Sequence, residues 1–122
     1  MGLRHTTTKS FFYALQGIKT AFRNEPNLRI HTFMAIAASI IGIIVRLSTL
    51  EWLILIFTIF WVISLELLNT VLEAIVNLVS PEIQPYAKTA KDVSAAAVLV
   101  AAFLSVIVGL VLLIPKILLQ IS

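Results

Sequence analysis

The chain has 122 residues, 60% of them hydrophobic and 12% charged, with a mean hydropathy of +1.04. A soluble domain of this size cannot hide so much apolar surface, since ordinary chains are about 45–50% apolar and about 25% charged, so the composition specifies an all-α integral membrane protein of one domain, 1–122, with no room for a separate soluble catalytic domain. The absence of cysteine excludes disulfides, thiolate metal sites and a cysteine nucleophile, and the net charge of +3 is small.

Residues 1–8 (MGLRHTTT) are polar and read as a frayed end. They lack the charged start and short apolar core of a cleavable signal peptide. Residues 9–24 predict an amphipathic helix. Phe11, Leu15, Ile18 and Phe22 follow the helical period, Phe12 widens the stripe, and Lys9, Lys19 and Arg23 flank it. Such a helix lies on a membrane surface with its charged ends reaching water. Glu25-Pro26-Asn27 breaks it, because proline disfavours helix at the preceding residue and suits the first turn of the next.

The first spanning helix is expected at 28–45, anchored by Arg29 and Arg46, with His31 as a headgroup-level polar residue near its start. A tight polar connection from Arg46 to Glu51 leads to Trp52, which suits an aromatic belt. The second span, 51–79, ends at Ser80-Pro81. At 1.5 Å per residue it is about 42 Å long, against a hydrocarbon core of about 30 Å, so its last turns should reach the headgroups. Residues 80–92 read as a polar loop with two prolines. The third span, 93–114, is stopped by Pro115-Lys116, and its small residues Ser94, Ala95, Ala96 and Ala97 suit close helix contact.

Glu66, Asn69, Glu73 and Asn77 lie three and four residues apart in the second span, which puts them on one helical stripe. A carboxylate in hydrocarbon costs at least about 2.5–3.5 kcal/mol, so this stripe should face protein, a metal or a substrate. Seven of the nine basic residues (Arg4, Lys9, Lys19, Arg23, Arg29, Lys88 and Lys91) fall on one side of the three-span arrangement, and Arg46 and Lys116 on the other. That bias predicts a cytoplasmic N-terminus and a cytoplasmic 80–92 segment. Glu25, Glu73, Glu82 and Asp92 share that side, with Glu66 just inside it.

Acids and lysines at a cytosolic membrane surface suit magnesium and phosphates, because Mg²⁺ takes one or two protein carboxylates beside nucleotide oxygens. Glu25 and Glu73 are candidate metal ligands, Lys91 a candidate phosphate partner, and Glu66 a candidate base for a lipid hydroxyl. No GxxxxGK phosphate loop and no kinase glycine loop is present. An oligomeric channel or proton relay using Glu66 and Glu73, or a polar seam for helix assembly, fits the same stripe. The plainer roles are a protonated Glu66 between helices, Asn69 as polar glue, Asp92 as the N-cap of the third span, and Lys88 as a membrane-surface anchor.

Longer motifs separate these alternatives. Glu66-Leu-Leu-Asn69-Thr70-Val-Leu-Glu73-Ala-Ile-Val-Asn77, followed by Ala87-Lys88-Thr-Ala90-Lys91-Asp92 and the alanine-rich start of the third span, closely resembles the small bacterial diacylglycerol kinase family. That family includes the undecaprenol kinases of Gram-positive bacteria. Ser10-Phe-x-Tyr13-Ala14-x-x-Gly17 and Asn24-Glu25-x-Asn27-x-Arg29-Ile-His31 extend the likeness across about residues 9–114. The resemblance implies transfer of the ATP γ-phosphate, with Mg²⁺, to a lipid alcohol at the cytoplasmic face of the bacterial inner membrane. It also implies three transmembrane helices, an amphipathic surface helix, a homotrimer with sites between subunits, and no nucleic-acid partner. By motif position, Glu66 matches the catalytic base, Glu25 and Glu73 the carboxylates of the metal-nucleotide, Asn69 an active-site amide, and Lys91-Asp92 a nucleotide-binding pair. Tyr13 and Glu82 match positions near the nucleotide. The resemblance implies undecaprenol or diacylglycerol as the acceptor, and the local likeness leans to undecaprenol.

Three positions depart from the family pattern. Asn77 stands where Asp is usual, Val71 where a small residue is usual, and Thr6 where some members have an Arg whose place Arg4 or Lys9 would take.

Overall fold

A computed structural model describes residues 6–82 and 84–122. Arg4 therefore lies outside the described residues. Four helices follow in order: α1 (Thr7–Asn24), α2 (Pro26–Ile44), α3 (Thr49–Val79) and α4 (Pro85–Ile121). The last three are long and apolar enough to cross a membrane. Most of their large apolar side chains, such as Phe33, Phe57, Phe60 and Phe103, are exposed, as a lipid-facing surface requires.

Local chemistry sets the ends. Thr6 caps α1, its Oγ1 accepting from the Lys9 amide at 3.3 Å. Glu25 ends α1 and precedes α2, whose first helical position is Pro26. Arg29 reaches back from α2 and donates to the carbonyls of Phe22 (2.9 Å) and Arg23 (2.7 Å). These are last-turn carbonyls of α1 without helical partners, so the guanidinium fastens the α1–α2 corner. Ser48 and Glu51 form a reciprocal capping box on α3, at 3.2 and 3.0 Å.

The α2–α3 connection is tight, as its sequence suggests. Arg46 takes a left-handed conformation, φ 60°. The amides of Arg46 and Leu47 bond back to the carbonyls of Ile43 (3.3 Å) and Gly42 (3.1 Å), the paired pattern that closes many helix C-termini. Leu47 and Trp52 fold over Gly42, and a Cβ there would sit 2.9 Å from each. Trp52, expected in an aromatic belt, is half-buried against this corner. Replacing Gly42 by Ala should therefore cost about 1–3 kcal/mol through overpacking. Thermal unfolding in detergent checks this, with an unchanged midpoint as the contrary outcome.

α3 and α4 share the largest interface and run antiparallel, with α2 packed alongside α3. At the end away from α1, Val45, Leu47, Leu55 and Leu113 form the buried apolar core. Lys116 pairs with Glu51 at 2.8 Å and Gln120 donates to the Ile44 carbonyl at 3.1 Å.

The segments expected at 80–92 and 93–114 differ from the structure. α4 begins at Pro85 and runs through Pro115 to Ile121. Residues 85–92 are helical because Pro85 occupies the first helical position, where its missing N–H costs nothing. The helix continues past Pro115 because Lys116, Ile117 and Gln120 are held by Glu51, the apolar core and the end of α2. Asp92 is consequently not an N-cap. It lies two turns inside α4 and pairs with Lys88 at 2.6 Å.

Candidate functional site

The polar stripe of α3 lands at the end of the bundle where the α1–α2 corner, the C-terminal half of α3 and the first turns of α4 meet. Glu66 is 2% exposed and Asn69 is 8% exposed, although both sit in an apolar helix. Burial of such groups demands partners from neighbouring helices.

Asn69 has them. Its Oδ1 accepts from Ser94 Oγ of α4 at 2.6 Å, and its Nδ2 donates to Glu73 Oε1 at 3.3 Å. Ser94 thus fixes which way the amide points, and the amide holds one oxygen of Glu73. Glu73 is half-buried one turn further along. Another turn on, Asn77 Oδ1 accepts from Lys91 Nζ of α4. The stripe therefore forms a ladder between α3 and α4, from Ser94 at the buried rung to Lys91 at the open one.

Glu66 is different. His31 of α2 brings Nε2 to 3.2 Å from Glu66 Oε1, with the imidazole 20% exposed. The approach lacks hydrogen-bond alignment, so Oε1 has no donor. Thr70 donates to the backbone carbonyl of Glu66, not to its carboxylate. Glu25 and Glu73 lie close enough to act on Glu66 electrostatically. The Glu25 side chain makes no capping hydrogen bond to α2, although it occupies the cap position. His31 also borders an apolar groove of about 300 Å³ between α2, α3 and α4, with Ala35, Ala38, Val62, Ser105 and Gly109 among its walls.

Of the residues singled out from the sequence, Glu66, Asn69 and Glu73 come together, Glu25 lies within electrostatic reach, and Lys91 joins through Asn77. Asp92 and Glu82 stay exposed, Asp92 on Lys88 and Glu82 in the turn after α3. Lys91 and Asp92, adjacent in sequence, thus take separate partners. Tyr13 lies half-exposed on α1 with its ring edge toward Phe12 at 6.2 Å. His31 and Ser94 are the two site residues that sequence reasoning missed. Ser94 was visible only as one of a run of small residues, and nothing in the spacing linked His31 to Glu66.

Among the described residues no three acidic or histidine side chains gather into a metal cluster. The acids still fit a hard cation, because Mg²⁺ takes oxygen ligands and completes its shell with phosphate and water. A carboxylate buried among apolar side chains, with Oε1 turned to His31, fits acceptance of a proton from a hydroxyl at its other oxygen.

The model of the prokaryotic diacylglycerol kinase family matches residues 12–113. The chain is 44% identical over 108 residues to the undecaprenol kinase of Bacillus subtilis, covering 88% of each. It is 44% identical over 110 residues to the diacylglycerol kinase of Synechocystis sp., covering 89% of this chain and 63% of that one. It is 30% identical over 105 residues to the diacylglycerol kinase of Escherichia coli, covering 86% of each. With its three long apolar helices and its ladder of acids and amides, the chain belongs to the prokaryotic diacylglycerol kinase family.

Proposed function

We propose that the chain is a membrane lipid kinase that transfers the γ-phosphate of ATP to the hydroxyl of undecaprenol or diacylglycerol at the cytoplasmic face of a bacterial inner membrane. The observation that carries this assignment is Glu66, a carboxylate buried in an apolar helix one turn from Asn69 and two from Glu73, within a chain of this family. In the transfer, the lipid oxygen bonds to the γ-phosphorus and the bond from that phosphorus to the ADP oxygen breaks. The hydroxyl proton passes to Glu66.

Glu73 and Glu25 would hold Mg²⁺, which when bound would neutralise phosphate charge. Asn69, fixed by Ser94, keeps Glu73 in place. Lys91 sits at the open end of the ladder and offers its ammonium to the phosphates. Its partner there is the neutral Asn77, so its charge is not cancelled. Tyr13, Glu82 and Asp92 are assigned to the nucleotide by their motif positions. The cytoplasmic orientation is supported by the seven-to-two distribution of basic residues, and a homotrimer by the family resemblance.

A channel fits less well. From Glu66 toward the far end, the buried positions of α3 are Val62, Thr58 and Leu55, and the stripe gives way to apolar core. That favours a site at one end over a polar path across.

The test is phosphorylation by purified protein in mixed micelles with labelled ATP, offered undecaprenol and diacylglycerol in parallel. Label in either lipid supports a kinase and the faster one names the acceptor; label in neither rejects the assignment. Replacing Lys91 by Met should raise the KM for ATP roughly tenfold or more, the worth of a charged hydrogen bond of about 1.5–3 kcal/mol. The KM for lipid should not move, and an unchanged ATP dependence would remove Lys91 from the site.

A further inference from the structure

Among the described residues Glu66 is the one buried charged side chain. Its polar neighbours on α3 make their hydrogen bonds elsewhere. Asn69 uses its carbonyl oxygen on Ser94 and its amide on Glu73, and Thr70 bonds to backbone. The side chain that approaches the carboxylate comes from another helix, His31 of α2, with Nε2 3.2 Å from Oε1. The distance suits a hydrogen bond and the alignment does not. Catalytic hydrogen bonds are often poorly aligned before substrate binds and tighten in the loaded complex.

A base in a transfer reaction must present one particular oxygen to the hydroxyl. A carboxylate with no donor on either oxygen rotates about its last bond and presents both indifferently. A single N–H held on Oε1 from a second helix removes that freedom. A neutral imidazole with its proton on Nε2 is sufficient, and no second proton transfer is needed.

We propose that His31 is the positioning residue for Glu66. Its Nε2–H is donated to Oε1 in the substrate complex and leaves Oε2 facing the lipid hydroxyl. This rests on the assignment of Glu66 as the base. It also gives the α1–α2 corner a purpose: Arg29 ties α1 to the first turn of α2, two residues before His31, and so sets the position of the imidazole against α3.

Three substitutions separate positioning from mere packing. His31→Leu fills the space without a donor. His31→Asn is polar but too short to reach Oε1. His31→Gln places an amide N–H near the position of Nε2. Turnover of the full chain in mixed micelles should fall by tenfold to about a hundredfold for Leu and Asn. The KM values for ATP and lipid should stay unchanged, and Gln should recover most of the loss.

Wild-type turnover in both His31→Leu and His31→Asn overturns the proposal. So does a Gln variant no better than Asn, or a loss that falls on the lipid KM instead of kcat. If His31→Leu does not fold, the Asn–Gln comparison decides alone. Glu66→Gln, measured alongside, keeps the two ideas apart. If it is inactive while the His31 variants are normal, only the positioning role fails. If it is fully active, the base assignment fails and the positioning role goes with it.

Discussion

Replacing Glu66 by Gln should reduce phosphoryl transfer by about a hundredfold to ten-thousandfold, the usual worth of a positioned general base. The substitution is nearly isosteric. It leaves a neutral amide where the carboxylate lies 2% exposed, with no charge to keep from water. An amide accepts no proton from a hydroxyl at neutral pH, so the loss should fall on kcat while both KM values hold. Stability should not drop, because removing a buried charge without a full complement of donors relieves a desolvation cost. Size-exclusion behaviour and thermal unfolding in detergent check that the assembly persists. Wild-type turnover in this variant would show that Glu66 is a structural acid and not the base.

Replacing Glu73 by Gln should act on the nucleotide instead. Gln retains an oxygen to accept from Asn69, so the Ser94–Asn69 rungs should survive intact. What disappears is one of the two carboxylate charges assigned to magnesium. The Mg²⁺ concentration for half-maximal rate should rise at least about tenfold, since losing even an outer partner costs a metal site that much. Titration of Mg²⁺ at fixed ATP checks this directly. An unchanged metal requirement would assign Glu73 to holding Asn69 and nothing further. The two variants thus part along different axes, one through turnover and the other through metal dependence.

Spacing alone placed Glu66, Asn69 and Glu73 on one stripe, because a three-and-four repeat has one geometric meaning on a helix. Pro26 likewise marked the α1–α2 corner. The start of α4 was obscured by the polar residues of 85–92, which look like loop by composition. They are helical because Pro85 suits a first turn and Lys88 pairs with Asp92 one turn on. Pro115 read as a stop for a similar reason. Proline removes one helical hydrogen bond, but Lys116 and Gln120 gain tertiary partners on Glu51 and Ile44 that hold the following turns.

Pairings between helices were hidden altogether. His31 and Glu66 meet only because the left-handed turn at Arg46 folds α2 back along α3 in one register. Ser94 read as a small residue for close packing, and the structure adds a hydrogen bond to that closeness. Asn77, expected from the sequence to depart from the family pattern, accepts from Lys91 as a neutral partner.

Because the chain contains no cysteine, single cysteines introduced at Asn27, Ser48 and Gln84 report sidedness in membrane vesicles without background. An impermeant thiol reagent should label positions 27 and 84 from one side and position 48 from the other. The acids of the α1–α2 corner and α3 then share a membrane face with Lys91, as one nucleotide site requires. Labelling of positions 27 and 84 from opposite sides would separate Glu25 from Lys91 by the width of the bilayer and contradict the account.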